Sequence, residues 1–402
     1  MRILIADQLS AQVPTGLREL RCDVIVDGTL SGDALRDKIS DLDPQVLVVR
    51  STKVQEQHLR AAPSLSLVIR AGAGVNTIDV DTASRWGIYV ANCPGKNAVA
   101  VAELTWGHII NADRRIADNV SALREGQWRK KTFAKGCRGL KSRVLGIVGA
   151  GSIGREVAQR GQAFGMHVLG WDPFVTDQEM SAHGIHKQES LIEMSRQVDV
   201  LSVHLPLNDS TRGIIDHGVL GALQAHAIFV NTSRGSVVDE EALGHAIEEK
   251  QLRVGLDVFC QEPSSDGAWE QALVAHDTVY GTHHIGASTE QASEAVGDEV
   301  LRIVAALIQT GSVPNCVNLA QQRHASALLV VRHADAVGVL ADVLDQLRRA
   351  NINVQEMENI IFRGALAACA RIQIDRAPDD STLTEIQRSE HIFSIEVVAL
   401  DG

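Results

Sequence analysis

One stretch near the middle of the chain constrains its fold more than any other. An unbroken apolar run at 144–148 leads into Gly149-Ala150-Gly151-Ser152-Ile153-Gly154, then into an apolar-periodic segment at 157–164. A second apolar run at 167–171 ends at Asp172, eighteen residues beyond Gly154. Strand, glycine-rich turn, helix, strand and acid in that order specify a parallel α/β unit that cradles a dinucleotide. Gly149 permits the tight turn, Gly151 lets the backbone approach a pyrophosphate, and Gly154 lets helix and strand pack closely. Ser152 and Ile153 open the helix, where unpaired amides and the helix dipole favour phosphate. Asp172 can accept hydrogen bonds from a ribose diol and would repel a 2′-phosphate, which favours NAD over NADP.

The same alternation runs through most of the chain. Apolar runs at 3–6, 24–26, 46–49, 65–69 and 88–91 read as buried strands, each followed by turn residues or a polar, helix-like segment. Such alternation implies parallel sheets covered on both faces. Residues 98–118, interrupted only by Gly107, read as one long helix, and a basic segment at 124–143 precedes the nucleotide strand. The nucleotide unit therefore begins in mid-chain. A chain that enters one domain, builds a second and then returns explains this, with a helix at 287–309 as the returning element. Beyond the linker-like Gly311-Ser312-Val313-Pro314-Asn315 the pattern changes. A strand at 328–331 is followed by a helix through Val337, Leu340, Val343 and Leu347. Strands at 353–361 and 365–374, a short helix at 382–388 and a strand carrying Phe393, Ile395 and Val397 complete it. This β-α-β-β-α-β order is a small ferredoxin-like module. The expected fold is α/β, with two doubly wound, Rossmann-like parallel-sheet domains and that module at the end.

Composition removes several function classes. With 38 Lys and Arg against 50 Asp and Glu the formal charge is −12, so a nucleic-acid partner is not expected. No apolar run approaches the ~18 residues of a membrane span, and Asp7 comes too early for a signal peptide. Six scattered cysteines form no Cys-x-x-Cys. That argues against a disulfide scaffold and against a metal site, and for a reducing cytoplasm.

Three strand ends after the nucleotide motif carry chemistry. Asn231-Thr232-Ser233-Arg234-Gly235 is the first, Asp257 leading to Glu262-Pro263 the second, and His283-His284-Ile285-Gly286-Ala287-Ser288 the third. Taken singly, each has an ordinary structural reading as a surface cation, a turn or a packed histidine. Together they meet a need. Oxidising a secondary alcohol to a ketone removes a hydride, which a nicotinamide accepts, and a proton, which calls for a base with a pKa near 7. A carboxylate beside that histidine steadies its protonated form, and an arginine can grip a substrate carboxylate with two hydrogen bonds.

These motifs resemble the D-2-hydroxyacid dehydrogenases over nearly the whole chain, and within them the branch that oxidises D-3-phosphoglycerate. The resemblance implies Arg234 as the substrate-orienting arginine and His284 as the general acid/base paired with Glu262. It places Asp257 at the nicotinamide carboxamide and His204 and Pro206 on the adenine side, with Thr232 and Gly286 counted among the cofactor contacts. Where many relatives have Pro-His, this chain has His283-His284, and the register of Ile285-Gly286-Ala287-Ser288 selects His284. Arg70-Ala71-Gly72-Ala73-Gly74 resembles the loop whose backbone holds the substrate carboxylate. Arg50 and Arg70 match positions facing a substrate phosphate, and Lys130, with Lys131, a basic segment that reaches in from a neighbouring subunit.

The implied layout is a substrate domain of residues 1–97 completed by 285–318, an NAD domain of 98–284, and an ACT-like regulatory module of 325–402. ACT modules pair, so a homo-oligomer is implied: a dimer through the NAD domain and a tetramer through the module. His333, Asp335 and Asn353 fall where an L-serine effector is held, although Asp335-Ala336-Val337-Gly338 departs from the usual Asn-x-Pro-Gly, and Asp suits an amino group better than a carboxylate. The activity implied is oxidation of D-3-phosphoglycerate in L-serine synthesis. The alternatives are another 2-ketoacid reductase, for hydroxypyruvate or glyoxylate, and a non-catalytic NAD-sensing protein of this fold.

Overall fold

The computed structural model describes residues 1–263, 267–320 and 325–400. Asp401 and Gly402, the last residues of the expected module, lie outside the described residues. The chain forms two compact units, Met1–Asn318 and Leu319–Gly402.

The first unit holds two parallel sheets. Strands β1 (Arg2–Ile5), β2 (Asp23–Val26), β3 (Val46–Val49), β4 (Leu67–Arg70) and β5 (Tyr89–Asn92) are ordered β2-β1-β3-β4-β5. The order reverses between β1 and β3, and open α/β sheets place their ligand crevice at such a point, beyond the carboxyl ends of the strands. Strands β6 (Val144–Val148), β7 (His167–Trp171), β8 (His186–Lys187), β9 (Val200–Val203), β10 (Ile228–Asn231), β11 (Arg253–Leu256) and β12 (Val279–Gly281) are ordered β12-β11-β10-β9-β6-β7-β8. This is the Rossmann arrangement, with β6 beside both β7 and β9.

The chain crosses between the sheets twice. It leaves the first through the helix Ala98–Arg114, whose Ala102, Trp106, Ile109 and Ala112 are buried among core residues of the second sheet. The helix expected at 98–118 is in fact two. Arg115 adopts a left-handed backbone (φ 53°), and a second helix, Ile116–Arg124, starts beyond it. The Asn111 carbonyl accepts the Arg115 amide and its side chain accepts that of Ala117, so one short polar residue satisfies both helix ends. The chain returns through the helix Glu290–Thr310, whose Val300, Ile303 and Val304 complete the core around Ile3, Ile5, Val48 and Ile69. It then runs against β5, with Ala91 bridging antiparallel to Cys316. Among the described residues no helix is long and apolar enough to cross a membrane.

The second unit contains β13 (Ala327–Ala334), a helix Val339–Arg349, β14 (Val354–Ile361), β15 (Ala367–Ile374), a helix Asp380–Gln387 and β16 (Ile392–Ala399). The sheet is antiparallel, ordered β14-β15-β13-β16, the ferredoxin-like topology. Alternate residues Ala327, Leu329 and Val331 are buried with Val343, Leu347 and Ile386 of the two helices, the period-2 signature of a sheet covered on one face.

Candidate active site

The glycine turn is built by close approach. Gly149 has φ +93°, and a β-carbon there would stand 2.7 Å from the His204 carbonyl oxygen. At Gly154 a β-carbon would stand 2.1 Å from the Gly149 carbonyl oxygen, whereas Gly151, which precedes the helix Ser152–Ala163, faces open space. That combination leaves helix N-terminal amides accessible to a pyrophosphate, so the turn fits a dinucleotide. Asp172 does more than wait for a ribose. Its two carboxylate oxygens accept the amides of Ala150 and Phe174, both at 2.9 Å, and so tie the turn to the end of β7.

Two expected cofactor side chains are turned inward. The His204 ring is buried, with Nε2 2.8 Å from the Ser202 hydroxyl, and burial holds its pKa down at about 3. The Thr232 hydroxyl lies 2.8 Å from that of Thr105 inside the core. Both side chains are thus engaged within the core rather than facing the crevice. Pro206 contributes a turn, its carbonyl accepting the Thr211 hydroxyl at 2.6 Å.

At the end of β12 the catalytic loop turns sharply, because His284 takes a left-handed backbone (φ 53°), a conformation costly for a residue with a β-carbon. Asp257, just past β11, over-determines it. The Asp257 carbonyl accepts the His284 amide at 2.8 Å, and the carboxylate accepts the amides of Ile285 at 2.9 Å and Gly286 at 2.8 Å. Asp257 Oδ1 also accepts the Thr282 hydroxyl at 2.6 Å, and Thr282 Oγ1 lies 3.0 Å from His108 Nε2. Since that hydroxyl donates to the carboxylate, it accepts the Nε2 proton of His108. Burial lowers the His108 pKa and keeps the ring neutral. A side chain at position 255 would strike His108, its β-carbon 2.6 Å from that of His108, so Gly255 makes the room. Nothing in the spacing of His108 or Thr282 signals this role; only packing reveals it.

Of the two adjacent histidines, His284 is the one that meets the acid. Its Nδ1 lies 2.7 Å from Glu262 Oε2, and Glu262 Oε1 accepts the Phe259 amide at 2.9 Å. The ionised carboxylate cannot donate, so Nδ1 carries the proton and Nε2 is left for substrate. The hydrogen bond to Glu262 outweighs burial and raises the His284 pKa. Burial alone would raise Glu262, but the bonds from His284 and the Phe259 amide hold it below the usual carboxylate range.

Next to this pair is a cavity of about 270 Å³, lined in part by Arg50, Arg70, Gly72, Asn97, His284 and Ser288. Arg70 ends β4 and folds over Gly72, its Nη1 occupying the space a β-carbon would need. Arg234 Nη2 borders Gly74, 3.0 Å from where a β-carbon would stand. Among the described residues Arg50 and Arg70 form no ion pair, and the buried Arg70 Nε has no hydrogen-bond partner. Burial, then the like charges of Arg234 and Arg50, lower the Arg70 pKa. Cations without an ion-pair partner around a hole make an anion site. In the expected carboxylate loop the Gly72 amide is already bonded to the Arg70 carbonyl, so it is not available to a ligand. Among the described residues the amides of Ala73 and Gly74 carry no such bond. Lys130 opens the exposed short helix Lys130–Ala134 and does not line the cavity.

The expected effector residues do not converge within one chain. His333 is buried in β13, its ring bonded to the Ala334 carbonyl at 2.8 Å and 3.2 Å from the Asn359 side-chain amide. Asp335 is exposed just beyond that strand, whereas Asn353 precedes β14, which runs in the same direction as β13. Ala327 and Val354 both pair with Ile374, but His333 pairs with Ala368. His333 and Asn353 thus lie at opposite ends of the sheet, about 20 Å apart at the usual rise per residue.

Comparison with known proteins agrees with this geometry. Residues 106–286 match the family described as D-isomer specific 2-hydroxyacid dehydrogenase, NAD binding domain. The chain is 34% identical over 369 residues to D-3-phosphoglycerate dehydrogenase of Methanocaldococcus jannaschii, covering 91% of this chain and 68% of that one. It is 40% identical over 274 residues to hydroxypyruvate reductase of Thermotoga maritima, covering 68% of this chain and 87% of the relative. The NAD⁺-bound structure of Entamoeba histolytica 3-phosphoglycerate dehydrogenase superposes with a TM-score of 0.65 at 26% identity, over 79% of this chain and 99% of that one. The chain spans 58% of the length of the mammalian phosphoglycerate dehydrogenases it also matches. The chain belongs to the D-isomer-specific 2-hydroxyacid dehydrogenases, and it is an NAD-dependent dehydrogenase.

Proposed function

We propose that this enzyme oxidises D-3-phosphoglycerate to 3-phosphohydroxypyruvate, the reaction that opens L-serine synthesis. The observation that carries this reading is the pair of unpaired guanidinium groups, Arg50 and Arg70, lining the same cavity as His284. A 2-hydroxy acid without phosphate needs one carboxylate grip, and a second cation-rich wall suits a second anion. Bound NAD supplies the acceptor for the hydride leaving substrate C2. His284 takes the hydroxyl proton at Nε2, and Glu262 stabilises the imidazolium that results. Arg234 and the Ala73 and Gly74 amides hold the carboxylate and polarise the developing ketone. In the reducing direction the protonated His284 returns the proton.

The same reading divides the chain into a substrate domain, residues 1–97 with 285–318, an NAD domain, 98–284, and an ACT-like module, 325–402. It makes the enzyme a cytoplasmic homo-oligomer. An antiparallel pairing of two β14 edges would carry Asn353 of one copy toward His333 of the other, which supports an L-serine site shared by two chains.

A second reading, reduction of hydroxypyruvate, draws on the likeness to a hydroxypyruvate reductase. NADH consumption with 3-phosphohydroxypyruvate, hydroxypyruvate and 2-oxoglutarate, each with and without L-serine, separates them. A strong preference for the phosphorylated ketoacid is expected. Equal turnover of hydroxypyruvate overturns the phosphate reading in favour of the second. A rate unchanged by millimolar L-serine removes the effector.

A further inference from the structure

We infer that Asp7 is a positioning residue for phosphate recognition, acting through Arg50; this rests on the phosphorylated substrate proposed above. Asp7 lies two residues past β1 and is 8% exposed. Among the described residues, all the hydrogen bonds its side chain accepts come from the three residues that follow β3. Oδ2 accepts the amides of Arg50 at 2.7 Å, Ser51 at 3.2 Å and Thr52 at 3.0 Å, and Oδ1 accepts the Ser51 hydroxyl at 3.0 Å. Among the described residues it forms no ion pair. Arg70 lies within electrostatic reach of Asp7, but a buried carboxylate with no ion-paired cation is costly unless hydrogen bonds satisfy it, and here they are concentrated on one turn.

That turn sits where the strand order reverses, between β1 and β3. Three successive amides in a turn are themselves an anion-binding concavity. Asp7 fills it with a fixed internal anion, which denies it to a substrate phosphate and leaves Arg50, which lines the cavity together with Ser51, as the cation that turn offers. The carboxylate also fixes the backbone from which Arg50 projects. Asparagine has the same shape but only one acceptor oxygen, and its amide would face an amide donor. Asp7→Asn therefore loosens the turn without enlarging a cavity.

The test compares steady-state kinetics of wild type, Asp7→Asn, Arg50→Ala and the double variant, with 3-phosphohydroxypyruvate and hydroxypyruvate. Asp7→Asn is expected to raise KM for the phosphorylated ketoacid about tenfold, the worth of one charge-assisted hydrogen bond, with a smaller change in kcat and in KM for hydroxypyruvate. The double variant should be no worse than Arg50→Ala, because the aspartate acts through the arginine. Equal losses on both substrates, or losses that multiply in the double variant, overturn the role. If Asp7→Asn does not fold, Ser51→Ala, which removes one of the four bonds, should shift KM in the same direction by less, and an unshifted KM overturns it. Indifference of the wild type to the phosphate is a separate failure, that of the substrate reading, and is visible before any variant is made.

Discussion

Lys96 Nζ lies 3.1 Å from Glu299 Oε2, linking the segment by which the chain leaves the first sheet to the helix by which it returns. Glu299 is buried and also binds Arg302 of its own helix and the Asn315 side chain, so one carboxylate ties together three segments of the chain. The hydrogen bonds from Arg302, then those from Lys96 and Asn315, hold its pKa down at about 2. Glu299→Gln is expected to lower stability by about 1–3 kcal/mol at neutral pH, measured by urea unfolding. A carboxylate with a depressed pKa stabilises above its unfolded value and loses that contribution as pH falls through the folded one. The gap between wild type and variant should therefore narrow as pH drops from about 4.3 toward 2. A gap that does not depend on pH would show that the charge is not what matters.

Glu262 raises the His284 pKa, and the consequence for turnover has a definite sign. Oxidation needs neutral His284, so its rate climbs with pH through that raised pKa; reduction needs the imidazolium and falls over the same range. Glu262→Gln should move both limbs to lower pH and cost about 10–100-fold in kcat. pH profiles of kcat/KM in both directions check this, and limbs that stay in place would remove Glu262 from the pair. The raised His284 pKa and lowered Glu262 pKa also mean that the bond stabilises the fold most between the ordinary carboxylate and histidine values, less as pH rises through the His284 pKa and less as it falls through that of Glu262.

Thr282 holds Asp257 from one side and accepts His108 from the other. Thr282→Val leaves a buried carboxylate oxygen with one fewer donor and a histidine proton with none, a loss of about 1–3 kcal/mol in thermal or urea unfolding. Because Asp257 also fixes the Ile285 and Gly286 amides, kcat should fall with stability. Full kcat in a destabilised variant would make the network structural only.

Arg70→Ala should raise KM for the phosphorylated ketoacid by about 10–100-fold, the worth of one or two hydrogen bonds to a charged group, with a smaller fall in kcat. An unchanged KM would mean that Arg70 does not read phosphate.

Most of the architecture was legible because it rests on local periodicity. Apolar runs of three to five residues marked the parallel strands, and the strand edges differ from the expected ones by at most two residues. The split at Arg115 was not legible, because it depends on an arginine adopting a left-handed backbone whose neighbours are satisfied by Asn111. The nucleotide turn could be read from its glycines, since a missing β-carbon leaves a mark in the sequence that a hydrogen-bond partner does not. His204 and Thr232 read as crevice-facing, but their side chains turn inward because Ser202 and Thr105 offer partners in the core.

What the sequence determined by itself was the five strands of the first sheet, the two that flank the glycine turn, that turn, and the presence of Arg234, Glu262 and His284 at successive strand ends. Those follow from residue type and spacing along one chain. Tertiary structure alone decided that Thr282 and His108 brace Asp257, that Asp7 grips residues 50–52, and that His333 and Asn353 stand at opposite ends of their sheet. Each of these depends on register between strands distant in sequence, and a contact across a sheet has no period along the chain.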